Sequence, residues 1–251
     1  MAARLIVVPP ECIDAEAGHA RISGDAFHHV VRVLRLKPGA PIALVDGSGM
    51  RYEGAITQIG PRQAQVHLSS TTRLPAPPPP KLVLVIGLPR GARTELVLQK
   101  CTELGVDALL PVVCERSISR PSATQAKTDR WLEIVRQAAR QSQRAHLPQL
   151  HPPTSLGQAL PDGPRPGLIG LIASTDLDAP PLVQQEPRIR QDAKEIWLVV
   201  GPEGDFTAAE MDLALARGFA PIGLGPRILR TETAAVALLA IVAHLSGRLV
   251  G

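Results

Sequence analysis

Two late segments of the chain each combine a hydrophobic run, a glycine turn and charged residues at the start of a helix. In the first, residues 195–210 (EIWLVVGPEGDFTAAE), a predicted strand runs into Gly201-Pro202-Glu203-Gly204. A helix then follows from Thr207, whose spacing to Glu210 is that of a capping box. Strand, glycine turn and helix N-terminus put backbone N–H groups at the carboxyl edge of a sheet, where open α/β sheets take ligands. An ordinary tight turn would look the same, with Glu203 a solvent-exposed turn residue instead of a functional carboxylate. The second segment repeats the arrangement, with a strand over 219–224, the turn Gly225-Pro226, and Ile228-Leu229-Arg230-Thr231-Glu232-Thr233 leading into the last helix. Thr231 or Thr233 can cap that helix, and Glu232 in its first turn suits the helix dipole. Capping does not account for Arg227 and Arg230, which flank two apolar residues where two turns on adjacent strand ends would share a cleft.

Other chemistries lack their fingerprints. There is no GxxxxGK[ST] loop, no strand-linked GxGxxG and no Gly-x-Ser-x-Gly elbow. Cys12, Cys101 and Cys114 are odd in number and widely separated, so they suggest neither a disulfide framework nor a zinc site. His28 and His29 are adjacent; on a helix they would point about 100° apart, a poor pair for one metal. No metal is expected. Over residues 125–144, Trp131, Val135, Ala138 and Ser142 mark one face of a helix, and Arg136, Arg140 and Arg144 recur on another. That second stripe is either a solvated face paired with Asp129 and Glu133, or, with Arg116, Arg120, Lys127 and Arg130, a footprint for a nucleic-acid backbone.

The elements that must position these residues fall into two rhythms, split by Pro75-Ala76-Pro77-Pro78-Pro79-Pro80, which cannot lie inside a helix or a central strand. Before it, short strand-like runs at 4–8, 41–45, 51–59 and 63–69 alternate with glycine turns, and one helix carries Phe27, Val30, Val31 and Leu34. A small β-barrel is the natural reading. After it, apolar runs at 82–88, 108–113, 168–173, 196–200 and 221–224 alternate with helical stretches at 94–104, 125–144, 208–217 and 233–249. Continuous buried strands between amphipathic helices imply a parallel α/β sheet. Residues 151–166 and 174–192 read as exposed loops. The domains expected are 1–74, a linker at 75–80, and 81–251.

A composition of 45% hydrophobic and 20% charged residues is that of a globular chain. The basic excess sits in the middle, with 11 basic against 6 acidic side chains over 81–150. Six aromatic residues (2 Trp, 1 Tyr, 3 Phe) give RNA bases few rings to stack on. The N-terminal apolar run is too short for a signal peptide, and residues 234–245 are too few to span a bilayer, so a soluble, cytoplasmic protein with no membrane partner is expected.

Several segments together resemble one family nearly end to end. Gly24-Asp-Ala-Phe-His28-His29-Val-Val-Arg32-Val-Leu-Arg35, with Val45-Asp46-Gly47-Ser-Gly49, is similar to the front end of the RsmE family of ribosomal RNA methyltransferases. Leu98-Gln99-Lys100-Cys-Thr102-Glu103-Leu-Gly105, Glu115-Arg116-Ser117, Arg130-Trp131 and Gln141-Ser142-Gln-Arg144 continue the match. Gly201-Pro-Glu203-Gly204 and Leu224-Gly225-Pro-Arg227-Ile-Leu-Arg230-Thr231-Glu232-Thr233-Ala234 resemble the family's two cofactor loops.

The resemblance implies a PUA-like β-barrel followed by a SPOUT α/β domain with a trefoil knot, and a homodimer. It implies S-adenosylmethionine-dependent methylation of N3 of a uridine, position 1498 in the usual rRNA numbering, in 16S rRNA of the small ribosomal subunit. For the cofactor it points to Ile172, Ala173, Gly201, Pro202, Glu203, Gly204, Leu224, Gly225, Ile228, Leu229, Arg230, Thr233 and Ala234. Arg230, Glu203 and Glu232 are the catalytic candidates. Arg4, Arg32, Arg35, Arg90, Lys100, Arg116, Arg140 and Arg144 are the RNA-binding candidates. This chain departs from the family pattern at Asp205, where a second glycine is usual, at Arg90 for lysine, and at Arg140, a position often acidic. Two alternatives stay open: a catalytically silent RNA-binding protein on the same scaffold, and a SPOUT enzyme acting on another RNA.

Overall fold

The computed structural model describes residues 5–117, 125–176, 178–191 and 193–249, in two compact units. The first unit holds the chain through Pro77 together with Ala139–Leu147, and the second holds Pro78–Ala138 and Pro148–Gly251.

The first unit is a six-stranded mixed sheet built from β1 (Leu5–Val7), β2 (Ile13–Asp14), β3 (His19–Ser23), β4 (Pro41–Val45), β5 (Met50–Ile59) and β6 (Gln63–Arg73), in the order β1-β4-β5-β6-β3-β2. Among the described residues of this unit, only β1 and β4 pair in parallel. The core follows from strand alternation: Ala20 and Ile22 on β3 and Ala64, Val66 and Leu68 on β6 turn inward with polar neighbours facing out. A short helix, α1 (Gly24–His28), and the turn after it seat Val30 in that core, with Phe27, Val31 and Leu34 packed partly against it. The sequence does not predict β3, because His19-Ala-Arg-Ile-Ser23 holds only two apolar residues and its pairing with β6 is what makes it a strand.

Residues 139–147, which the sequence places in the second domain, pack within the first unit. Ala139 joins Val7 and Val45 in a small cluster, the Leu147 N–H donates to the Gly47 carbonyl at 2.9 Å, and the Gly49 N–H donates to the Ala145 carbonyl at 3.2 Å. A boundary drawn on composition cannot show a segment that returns. The close pass also fixes Gly49, whose φ is +93° and whose Cβ would lie 2.1 Å from the His146 ring.

The second unit contains β7 (Lys81–Gly87), α2 (Ala92–Glu103), β8 (Ala108–Val113), α3 (Gln125–Gln141, its last turn in the first unit), β9 (Gln149–Leu150), β10 (Thr154–Ser155), α4 (Leu156–Ala159), β11 (Leu168–Ala173), α5 (Glu186–Gln191), β12 (Glu195–Val200), α6 (Ala208–Ala216), β13 (Phe219–Ile222) and α7 (Thr231–Leu245). All its strand pairs are parallel, in the order β10-β8-β7-β12-β11-β13, with β9 beside β8. Its strands are buried almost without interruption, as a sheet covered on both faces requires. The segments expected as plain loops carry structure. Ser155 and Gln158 form a reciprocal capping box that starts α4, and Glu186–Gln191 forms α5. The Ser-x-x-Gln spacing was present in the sequence, but a four-residue helix gives no periodicity to support it.

Arg248 closes the second unit. Its guanidinium makes a two-pronged contact with Asp107, at 2.9 and 3.1 Å, and donates to the carbonyls of Pro78, Pro80 and Gly105. The two side chains are 6% and 13% exposed, so removing one strands the other's charge. Arg248→Ala is expected to destabilise the protein by about 3 kcal/mol, measured by urea unfolding; a loss under about 1 kcal/mol would contradict the importance of this contact.

Candidate functional site

Three strand ends supply one cleft of about 260 Å³. β11 continues into Ala173–Asp176, β12 into Gly201–Asp205, and the turn after β13 runs through Leu224, Gly225 and Arg227–Thr231 to Ala234 on α7. The sequence places the two glycine turns on adjacent strand ends. In the structure β11 lies between β12 and β13, pairing Ile172 with Val199 on one side and Pro221 on the other. The intervening strand end adds Ser174, Thr175 and Asp176 to the wall, residues that the sequence left in a loop.

The turn after β12 is held from several directions. Gly87, at the end of β7, passes so close that a Cβ there would lie 2.5 Å from the Pro202 nitrogen. Asp205 adopts φ +60°, the left-handed region that aspartate tolerates better than most residues. Its N–H donates to the Pro202 carbonyl at 3.0 Å, its Oδ1 accepts from the Phe206 N–H at 2.8 Å, and its Oδ2 accepts from the Thr175 hydroxyl. Asp205 thus holds the turn and ties it to the end of β11. Next, Thr207 and Glu210 form the predicted capping box at α6, and Glu210 Oε1 accepts the Glu115 N–H at 2.9 Å. Gly204 lets Arg116 approach, since a Cβ would sit 2.7 Å from its carbonyl oxygen.

The charges divide into a held group and a free one. Glu203 Oε1 accepts the Arg90 N–H at 3.0 Å and the Arg93 guanidinium at 3.2 Å. Glu232 is buried in the first turn of α7, with Oε1 3.6 Å from Arg93 Nε and Oε2 without a partner. Arg230 is exposed at the cleft, and no ion pair among the described residues engages it. Asp176, Glu203 and Asp205 put three carboxylates on a wall that also carries the apolar Val200, Leu224, Ile228, Leu229 and Ala234, with Arg227 and Arg230 at its edge. Such a lining suits a ligand with a flat apolar part and a cationic part.

The RNA methyltransferase domain model matches residues 76–243, and the RNA methyltransferase PUA domain model matches residues 22–69. A ribosomal RNA small subunit methyltransferase E from Synechocystis is 36% identical over 242 residues, 96% of this chain and 77% of the relative. The chain belongs to this methyltransferase E family. The Bacillus subtilis member is 28% identical, with 91% of each chain covered. A Neisseria gonorrhoeae member of the family, solved bound to S-adenosylmethionine, superposes with a TM-score of 0.81 at 32% identity, covering 97% of this chain and 98% of that one. A Legionella pneumophila protein in complex with the same cofactor superposes with a TM-score of 0.83 at 28% identity.

Of the residues pointed to for the cofactor, Ala173, Gly201, Pro202, Glu203, Leu224, Gly225, Ile228, Leu229, Arg230 and Ala234 line the cleft. Ile172 is fully buried beneath it, Gly204 faces Arg116, and Thr233 is exposed and off the lining. The helix cap differs from the expectation. Arg230, with extended backbone, is the N-cap of α7, no side chain caps it, and Thr231 is its first residue. Of the RNA candidates, Arg32, Arg35, Arg90 and Arg116 are exposed, Lys100 pairs with Glu103, and Arg140 and Arg144 are half-buried with partners of their own. Arg4 and Arg120 lie outside the described residues. Arg93 was missed altogether: nothing local in Gly91-Ala92-Arg93 marks it, and only the packing of α2 beside α7 brings it to two glutamates. Among the described residues no group of three His, Cys, Asp or Glu side chains is placed to hold a metal.

Two thiols behave as core atoms. Burial pushes Cys101 up to about 12, and burial with Glu210 nearby pushes Cys114 up to about 12, against an ordinary value of 9.0. Because the folded values lie above the unfolded ones, this contribution to stability is complete below pH 9 and is lost as pH rises toward 12. The native protein at pH 8 is expected to be alkylated at Cys12 and spared at Cys101 and Cys114, with all three modified in denaturant. Rapid native modification of Cys114, read by mass spectrometry, would contradict this burial.

Proposed function

We propose that the chain methylates N3 of uridine 1498 in 16S rRNA of the small ribosomal subunit, using S-adenosylmethionine, and works in the cytoplasm as a homodimer. The observation that carries this reading is the three-loop cleft. Its carboxylates, apolar wall and unpaired Arg230 coincide with the family's cofactor motifs, and two structural neighbours hold S-adenosylmethionine. The small-subunit rRNA named in the relatives supports the substrate, and the N3 position and the trefoil knot come with the same reading. Leu96 on α2 and Ile241 on α7, exposed apolar side chains on packed helices, support the dimer. Among the described residues no helix is long and apolar enough to cross a membrane.

The lining fits the cofactor. Val200, Leu224, Ile228 and Leu229 offer an apolar bed for the adenine, and Asp176 and the free oxygen of Glu203 complement the cofactor's cationic groups. When bound, S-adenosylmethionine supplies an electrophilic methyl on a sulfonium. The chain's own residues prepare the acceptor. Uracil N3 must lose its imide proton, and its Watson–Crick edge must be unpaired or flipped out. Arg230 stabilises the negative charge that spreads over the uracil carbonyls. Glu203 lies on the cleft wall with Oε2 outside the hydrogen bonds that hold Oε1, and it is the better placed proton acceptor. Glu232 sits behind it with its unpartnered oxygen sealed from solvent. With few aromatic residues, RNA is held through phosphate contacts from exposed arginines, including Arg32, Arg35, Arg90 and Arg116.

Calorimetric titration with S-adenosylmethionine, followed by transfer to undermodified small subunits, is expected to give saturable binding and a methyl on uridine N3. No binding would return the chain to the silent RNA-binding reading. Glu203→Gln is expected to slow single-turnover transfer by about 100-fold; a near-wild-type rate would remove Glu203 as the base. Subunit affinity is expected to fall steeply with salt, as phosphate contacts require, and salt-insensitive binding would exclude them.

A further inference from the structure

Arg93 lies in the first turn of α2, outside every motif the sequence singles out, yet its guanidinium meets carboxylates from two different turns. Nη1 donates to Glu203 Oε1 at 3.2 Å, and Nε lies 3.6 Å from Glu232 Oε1. The same Glu203 oxygen accepts the Arg90 N–H. The segments that follow β7, β12 and β13 therefore converge on one side chain. Glu232 is 9% exposed, and its second oxygen has neither solvent nor a hydrogen-bond partner. A carboxylate so placed carries a desolvation cost that a neighbouring cation must offset. Among the described residues, Arg93 is the cation whose ion pair reaches it.

We propose that Arg93 is a positioning residue of the methyl-transfer site. It holds the turn after β12 and the first turn of α7 in register, and so sets the shape of the cleft without touching the reacting atoms. For its effect on activity, this role rests on the functional reading above. Its effect on the loops rests on geometry alone. The arginine is needed for its shape as well as its charge, because two separate nitrogens of a planar fork reach two carboxylates, whereas a lysine presents one compact ammonium. Arg93 is itself 42% exposed at the side chain, so solvent screens the pair with Glu203 more than the buried end at Glu232.

The test uses the full-length protein with Arg93→Ala, Arg93→Lys, and Arg93→Ala combined with Glu232→Gln, each compared with wild type by thermal melting. Hydrogen exchange in the free protein is expected to quicken in Arg93→Ala at residues 201–205 and 231–234 while the strands stay protected, with Arg93→Lys intermediate. Unchanged exchange in both turns would overturn the proposal whether or not the cofactor binds. S-adenosylmethionine affinity is expected to fall about tenfold in Arg93→Ala, the scale of one lost charged hydrogen-bond partner. Removing the stranded charge with Glu232→Gln should restore most of that loss. Affinity within twofold of wild type in Arg93→Ala, or a loss that Glu232→Gln leaves untouched, would also overturn it. Absence of binding in the wild type would instead overturn the functional reading, and the exchange data would still decide the role of Arg93.

Discussion

Parallel pairing of β11 with both β12 and β13 is the constraint on which the cleft depends. Ile172 lies opposite Val199 on one side and Pro221 on the other, so three chain segments leave the sheet at one level and on one edge. Parallel strands all point their carboxyl ends the same way, which is why loops distant in sequence meet there. The register also explains the tight fit around Gly201 and Pro202. β12 is paired on its other side with β7, and only a glycine at position 87 leaves room for the turn to pass.

Electrostatics then sorts the charges the sheet has gathered. One group is consumed in holding the loops: Glu210 caps α6 and grips the Glu115 N–H, Asp205 binds Thr175 and Phe206, and Arg93 spans Glu203 and Glu232. The other group remains open to a ligand, with Asp176, a free edge of Glu203, Arg227 and Arg230 lining the same cleft. An anionic wall beside Arg227 and Arg230, neither held in an ion pair among the described residues, matches the two demands of methyl transfer to uracil, which are to receive a positively charged donor and to stabilise a negatively charged acceptor.

Much of this was legible in the sequence because it is written locally. The apolar runs that became β7, β8, β11 and β12, the Thr207–Glu210 box and the two glycine turns each declare themselves within about ten residues. Asp205 could be anticipated as a tolerated left-handed residue, and it is one. What failed was non-local. Strand order put β11 between the two turns, α2 packed beside α7 brought Arg93 to the glutamates, and residues 139–147 returned to the first unit. The missing cap on α7 is a subtler case. Thr231 has the right chemistry but falls one residue inside the helix, and the N-cap position goes to Arg230, whose side chain makes no capping bond.

A crystal structure of the protein with S-adenosylmethionine would decide whether the three-loop cleft is the cofactor site. The cofactor is expected between residues 174–176, 201–205 and 225–231, with its adenine against Leu224, Ile228 and Leu229 and Arg230 left free to face an incoming base. A cofactor bound anywhere else on the chain, or an Arg230 turned away from the cleft to pair with a protein carboxylate, would contradict it.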